Sequence, residues 1–146
     1  MILQDILSAK GTEVYTIAPD ATLAEAAHTL VEHKVGALLV SRPDETGKQQ
    51  LLGIFTERDL LYFCAARECT LSSVQVAEIM TTDLITGSPG DSVEQVMGLM
   101  TTKRIRHLPV LVEGRLSGIV SIGDIVKAQH DRLALENRFM KDYIQR

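Results

Sequence analysis

The chain is written twice. Residues 16–40, TIAPDATLAEAAHTLVEHKVGALLV, lie over residues 86–110, TGSPGDSVEQVMGLMTTKRIRHLPV, without a gap. Thr16 meets Thr86, Pro19 meets Pro89, Leu23 meets Val93, Leu30 meets Met100, Lys34 meets Arg104 and Val40 meets Val110. A second match follows each copy: GIFTERD (53–59) and GIVSIGD (118–124). Both obey the pattern Gly, apolar, apolar, Ser/Thr, any, any, Asp. The offset of 70 residues falls to 65 at this second match. The lost residues lie where the first copy carries the polar RPDETGKQQ and the second only EGR, and surface loops absorb such differences readily. Short preludes match as well, LQDIL (3–7) with VAEIM (76–80). A repeat of this period is one supersecondary unit copied, so the two halves must fold alike.

Each half carries the same series of signals. A short extended piece comes first, VYTI or LIT. A helix follows. In the first half Thr22 and Glu25 are spaced as a capping box, and Leu23, Ala26, Ala27, Leu30 and Val31 recur at helical spacing. In the second half Ser92 and Gln95 take the cap, with Val93, Val96, Met97 and Met100 as the stripe. Two apolar strands come next, VGALLV with LLGIF and HLPVLV with LSGIV; their continuity implies burial on both faces or against helices. A second helix starts near Glu57 and near Ile122. The fold class is therefore mixed α/β, two β-α-β-β-α repeats packed with pseudo-twofold symmetry, plus a C-terminal helix. One half of about 60 residues is marginal alone, whereas two share a core. The expected division is 1–70, 71–127, and a helix over 128–146.

With 45% hydrophobic and 23% charged residues, the composition is that of an ordinary globular protein. No apolar run approaches the roughly 20 residues of a membrane helix. The start, MILQDILSAK, lacks a basic segment ahead of an apolar one, so a cytoplasmic address is expected. The net charge of −4 argues against a nucleic-acid binder, KRIRH (103–107) notwithstanding. Cys64 and Cys69 are expected reduced and packed in the core of an apolar helix. His28 and His33 fall on different helix faces and no ligand set accompanies them, so no metal site is expected. No P-loop or dinucleotide fingerprint is present. No nucleophile, base and orienting group assemble, which points to a binding module without catalytic residues.

Ser/Thr-x-x-Asp reads two ways. As a capping box, Thr56 and Ser121 start helices, and Asp59 and Asp124 sit at the third helical position, where a carboxylate suits the helix dipole. As a site, the pattern joins three features. The glycine sits inside a strand, where it is costly unless something approaches closely. A helix start offers N–H groups to an anion. A carboxylate there can accept from both hydroxyls of a ribose. Both readings can hold at once.

The double β-α-β-β-α repeat, with GIFTERD, GIVSIGD and RIRHLPV in register, resembles a pair of cystathionine β-synthase (CBS) domains, a Bateman module, from about Leu3 to about Lys127. The resemblance implies two clefts between the halves for adenine ligands: AMP foremost, with ADP, ATP, NAD(H) or S-adenosylmethionine as further candidates. Asp59 and Asp124 would hold ribose hydroxyls, and Thr56 and Ser121 would contact ribose or phosphate. The clefts would be crossed. Asp59 would work with Thr86 and Gly87, and Asp124 with Thr16 and Ile17. The strand starts Gly36, Ala37, Leu38 and Arg106, His107, Leu108 would supply backbone contacts. Because Arg106 and His107 replace Gly36 and Ala37, phosphate recognition is expected at Asp59, with Arg58, Arg106 and His107; charge-assisted contacts from Arg are strong.

The resemblance implies a regulatory nucleotide sensor signalling to a partner protein. The alternatives are an interaction module with vestigial clefts, or a redox regulator using Cys64 or Cys69. The C-terminal DRLALENRFMKDYIQR places Leu133, Met140 and Ile144 near one helix face, with Phe139 and Tyr143 beside it. That surface must be covered, by its own domain or by a second subunit. A homodimer through helical faces is the family habit.

Overall fold

The computed structural model describes residues 1–66 and 70–145. Cys69 lies outside the described residues. The elements are, in chain order, α1 (Leu3–Lys10), β1 (Thr16–Ile17), α2 (Leu23–His33), β2 (Ala37–Pro43), β3 (Gln49–Thr56), α3 (Glu57–Ala66), a 3-10 turn (Leu71–Ser73), α4 (Val76–Ile79), α5 (Val93–Lys103), β4 (His107–Val112), β5 (Arg115–Ser121) and α6 (Ile122–Gln145). Helices and strands mix as the repeat requires.

The chain divides into two compact units that cut across the repeat. One comprises residues 13–85 and 112–116; the other comprises 1–12, 86–111 and 117–146. The preludes explain the cut. In the unit built on the first repeat, Val76 N–H donates to Ala21 O, Ala77 N–H to Pro19 O, and Leu23 N–H to Val74 O. In the other, Leu3 N–H donates to Asp91 O, Gln4 N–H to Pro89 O, and Val93 N–H to Met1 O. These are the same three bonds at equivalent positions. Each prelude completes the unit of the other repeat.

In the first-repeat unit, β1, β2 and β3 form a sheet in that order. β1 runs parallel to β2, pairing Thr16 with Leu39 and Ile17 with Val40. β3 is antiparallel to β2, from Ala37 opposite Thr56 to Pro43 opposite Gln49, with a bulge at Val40/Ser41. The strands thus run further into RPDETGKQQ than its polarity suggested; the turn proper is held by Asp44, whose Oδ1 accepts from Thr46 N, Thr46 Oγ1 and Lys48 N. β2 is buried from Ala37 to Ser41. Its core joins Leu38, Val40 and Phe55 to Leu23, Ala26 and Leu30 of α2, with Phe63, Val74 and Val76.

The second-repeat unit pairs β4 with β5. A first strand is reduced to a single parallel bridge, Gly87 opposite Val110. That bridge is the counterpart of Ile17 and Val40. Leu108, Val110, Val120 and Ile125 are fully buried, with Val93 and Met100 from α5 and Leu3 and Leu7 from α1.

Both long repeat helices start on their predicted N-cap residues, but only the first as the expected reciprocal capping box; at the second only Ser92 caps. Thr22 Oγ1 accepts from Glu25 N at 3.1 Å, and Thr22 N donates to Glu25 Oε2 at 3.2 Å. Ser92 Oγ accepts from Gln95 N at 3.4 Å. Both helices end on a left-handed residue, Lys34 and Arg104, each with φ of 55°.

Two expectations fail at helix faces. Val31 is 77% exposed, because the buried stripe of α2 is the narrower Leu23, Ala26, Leu30. Cys64 is exposed, not core. α3 buries only Phe63, and the next residue is turned about 100° away. The expected C-terminal helix is present and continuous with the last helix of the second repeat: α6 runs unbroken for 24 residues, since nothing after Gly123 stops it. Of the two covers left open for its apolar surface, its own domain does not supply one. Leu133, Phe139, Met140, Tyr143 and Ile144 are all exposed, and Ile125 is the one buried residue of the helix.

Candidate functional site

The two Ser/Thr-x-x-Asp stretches occupy identical places. Thr56 is the last residue of β3 and Glu57 the first of α3; Ser121 is the last of β5 and Ile122 the first of α6. Strand passes to helix with no loop, so hydroxyl and carboxylate are held by regular structure on both sides.

Each junction is a reciprocal cap. Thr56 N donates to Asp59 Oδ2 at 3.0 Å, and Asp59 N to Thr56 Oγ1 at 3.2 Å. Ser121 N donates to Asp124 Oδ2 at 2.8 Å, and Asp124 N to Ser121 Oγ at 3.1 Å. The capping reading is therefore right for both. The neighbouring strand takes a further donor: Glu57 N–H bonds Gly36 O, and Ile122 N–H bonds Arg106 O. The first and third helical N–H groups are consumed. The anion site of an uncapped helix start is narrowed to the second, at Arg58 and Gly123.

The glycines are also explained without a ligand. A Cβ on Gly53 would lie 2.7 Å from Thr81 O and 2.9 Å from Met80 Sδ; one on Gly118 would lie 2.8 Å from Leu7 Cδ2. The close approach is made by the protein itself. The feature that keeps a ligand role open is the carboxylate. Its Oδ2 serves the cap, while Oδ1 accepts nothing among the described residues in either junction. No buried side-chain oxygen lacks a partner among those residues, so that Oδ1 is reached by solvent.

The other candidates gather unit by unit. In the first-repeat unit, Gly36 and Ala37 stand beside Thr56 and Glu57, and Thr16 and Ile17 lie one strand over at the same end of the sheet. Arg58 is exposed. In the second-repeat unit, Arg106 stands beside Ile122, and Gly87 bonds Pro109 and Leu111. Arg106 and Thr86 are exposed, and Gly87 is buried. Leu38 and Leu108 are fully buried, so their side chains belong to the core. Asp59 also lines a hollow of about 250 Å³ with Tyr62, Phe63, Ala66 and Ile79. Among the described residues no three His, Cys, Asp or Glu side chains gather as a metal site; His33 stacks on Tyr15 at 3.9 Å.

One residue escaped the sequence. Lys10, the last of α1, places Nζ 2.6 Å from Asp124 Oδ2 and 2.9 Å from Ile119 O. Burial pushes the Asp124 carboxyl up, but hydrogen bonds from Lys10 and Ser121 N–H and the Lys10 charge outweigh it and hold it below the usual carboxylate range. Among the described residues Asp59 has no ion-pair partner. The only signal for Lys10 was positional: extending the prelude match by three residues sets it opposite Asp83, a reversal of charge.

A family model for the CBS domain matches residues 4–66 and again 76–131. The CBS domain-containing protein CBSX3, mitochondrial, of Arabidopsis thaliana is 37% identical over 98% of this chain and 71% of its own length. The crystal structure of a CBS-domain containing protein from Agrobacterium tumefaciens is 42% identical with a TM-score of 0.81, covering 88% of this chain and 99% of that one. The CBS domain pair of protein MJ0100, solved with 5-methylthioadenosine and S-adenosyl-L-methionine, is 27% identical with a TM-score of 0.71, covering 90% of this chain and 98% of that one. Among the described residues no helix is long and apolar enough to cross a membrane.

Proposed function

The chain belongs to the CBS-domain family, and on that premise we propose that it is a regulatory module that binds an adenosine ligand at Asp59 and at Asp124. The observation that carries this is the spare Oδ1 on each capped carboxylate. A ribose diol needs acceptors held in place, and the cap holds them: Oδ1 faces solvent, and Oδ2, oriented by one backbone N–H, keeps a second lone pair. Thr56 and Ser121, whose hydroxyls orient the same loop-free junction, would contact ribose or phosphate. Thr16, Ile17, Gly36, Ala37, Leu38, Thr86, Gly87, Arg106, His107 and Leu108 are the proposed surroundings, with Arg58 and Arg106 as the exposed cations suited to phosphate. AMP is the first ligand to test, with ATP, ADP, NAD(H) and S-adenosylmethionine beside it. The bound adenosine compounds of the MJ0100 pair support the class. The module would act by passing a ligand-dependent change to a partner protein, to the extent that the ligand prefers one conformation. It is a binding protein in this reading and not an enzyme.

Thermal melting with each of these ligands is the test. A tight ligand at 100 times its Kd raises stability by about 2.7 kcal/mol, a readily measured shift. Shifts with AMP or another adenosine compound, and none with inorganic phosphate alone, are expected. No shift with any of them would leave the interaction-module alternative. The exposed apolar surface of α6 supports a homodimer, since seven large apolar side chains exposed on one helix are costly to leave in water. Light scattering should give the dimer mass, and Phe139→Asp with Met140→Asp should give the monomer.

A further inference from the structure

We propose that Lys10 makes the Asp124 junction selective for anionic nucleosides, because it occupies a carboxylate oxygen that a neutral nucleoside would need and offers its ammonium to a ligand's anionic group. The proposal rests on the adenosine-binding reading above. A ribose diol donating to both oxygens of a carboxylate requires Oδ2 as well as Oδ1. At Asp124, Oδ2 already accepts from Ser121 N at 2.8 Å and from Lys10 Nζ at 2.6 Å. Both ionic side chains are about one-quarter to one-third exposed, 25% for Asp124 and 32% for Lys10, so the pair is partly shielded from water. A neutral nucleoside that takes this oxygen leaves the ammonium with Ile119 O as its remaining acceptor. A nucleotide replaces what it displaces. The ammonium, on a flexible four-carbon stem, moves from the carboxylate to the phosphate and stays paired.

Asp59 is the internal contrast. Its Oδ2 accepts from Thr56 N, and no ion pair stands in the way among the described residues. The difference follows from the preludes. α1 continues to Lys10, whereas α4 stops at Ile79 and Met80 is already extended, with Asp83 at the position matching Lys10. No cation reaches Asp59 from its prelude.

The competing account is that Lys10 merely ties α1 to the start of α6. Calorimetry with adenosine and AMP separates the two, in an Asp59→Ala background so that the Asp124 junction alone reports. Lys10, Lys10→Arg and Lys10→Met are compared, and each variant is melted. With Lys10 or Arg, AMP should bind about ten-fold or more tightly than adenosine. In Lys10→Met the preference should collapse towards parity, AMP weakening while adenosine holds or tightens. A preference that survives Lys10→Met, or an equal loss for both ligands together with a lower melting temperature, overturns the proposal. If the wild type binds AMP but the Asp59→Ala chain does not, the Asp124 junction is no site and the proposal fails alone. If the wild type binds neither ligand, the adenosine reading fails and takes the proposal with it.

Discussion

Three residues before Thr56, Gly53 faces backbone; three residues before Ser121, Gly118 faces a side chain. The contact at Gly53 is Thr81 O, locked by two 2.9 Å bonds between Ile54 and Thr81. The contact at Gly118 is the tip of Leu7. The same motif therefore leans on a rigid neighbour in one unit and a deformable one in the other. The carboxylates differ too, since Asp124 is tied to Lys10 and Asp59 is not. The hydrogen bonds of the junctions and of the prelude starts are the same in both units, whereas the prelude ends differ, α1 running to Lys10 and α4 stopping at Ile79.

The largest effect should come from the glycines. Gly53→Ala forces a methyl against a fixed carbonyl and should cost about 1–3 kcal/mol, the range of overpacked sites. Gly118→Ala should fall at the low end of that range, because a leucine terminus can turn. Urea unfolding of both measures the difference, and equal costs would break the comparison.

The acid response comes next. Asp124→Asn keeps the cap's shape and removes the ion pair, so it should cost about 1 kcal/mol near neutral pH. Asp59→Asn loses no ion pair among the described residues and should cost less. The folded carboxyl of Asp124 is held below its usual range, so its contribution is present above the unfolded pKa of about 3.9 and is lost as pH falls through the folded value. The gap between wild type and Asp124→Asn should therefore be full at about pH 6 and close below about pH 4. Melts across that range check it.

The smallest effect should be the same in both units. Lys34 and Arg104 each adopt φ of 55°, a conformation that glycine adopts without penalty. Lys34→Gly and Arg104→Gly should each stabilise by a few tenths to about 1 kcal/mol. A gain at one position alone would show that its side chain makes a contact the repeat does not share.

Local patterns were legible in the sequence, and distant ones were not. Thr22 and Glu25 announce a helix start because the bond they make spans three residues, and the alternation of strand and helix follows from apolar spacing. The pairing of Ala37 with Thr56 is implied by two adjacent apolar runs. By contrast, the bonds from Leu3 to Asp91 and from Lys10 to Asp124 join residues 88 and 114 apart, and nothing local marks them. Hence the sequence marks a charge difference between the repeats at Arg106 and His107, while Lys10 carries no local sign of its bond to Asp124. The exposure of Cys64 is hidden from the sequence for another reason. In LLYFCAA an apolar run has no polar residues to show which face is wet, and the structure buries Phe63 alone. The glycine pattern was read correctly as a close approach, but the approaching group is the prelude.

Whether the capped carboxylates are also ligand groups is tested directly by calorimetry with AMP on wild type, Asp59→Ala, Asp124→Ala and the double variant. Loss of a charged acceptor should weaken binding at its own junction by about 1.5–3 kcal/mol, roughly ten- to more than a hundred-fold. Each single variant should thus lose one binding event and keep the other, and the double variant should lose both while still melting cooperatively. Four proteins that bind AMP alike would contradict a ligand role, and would leave Asp59 and Asp124 as helix caps alone.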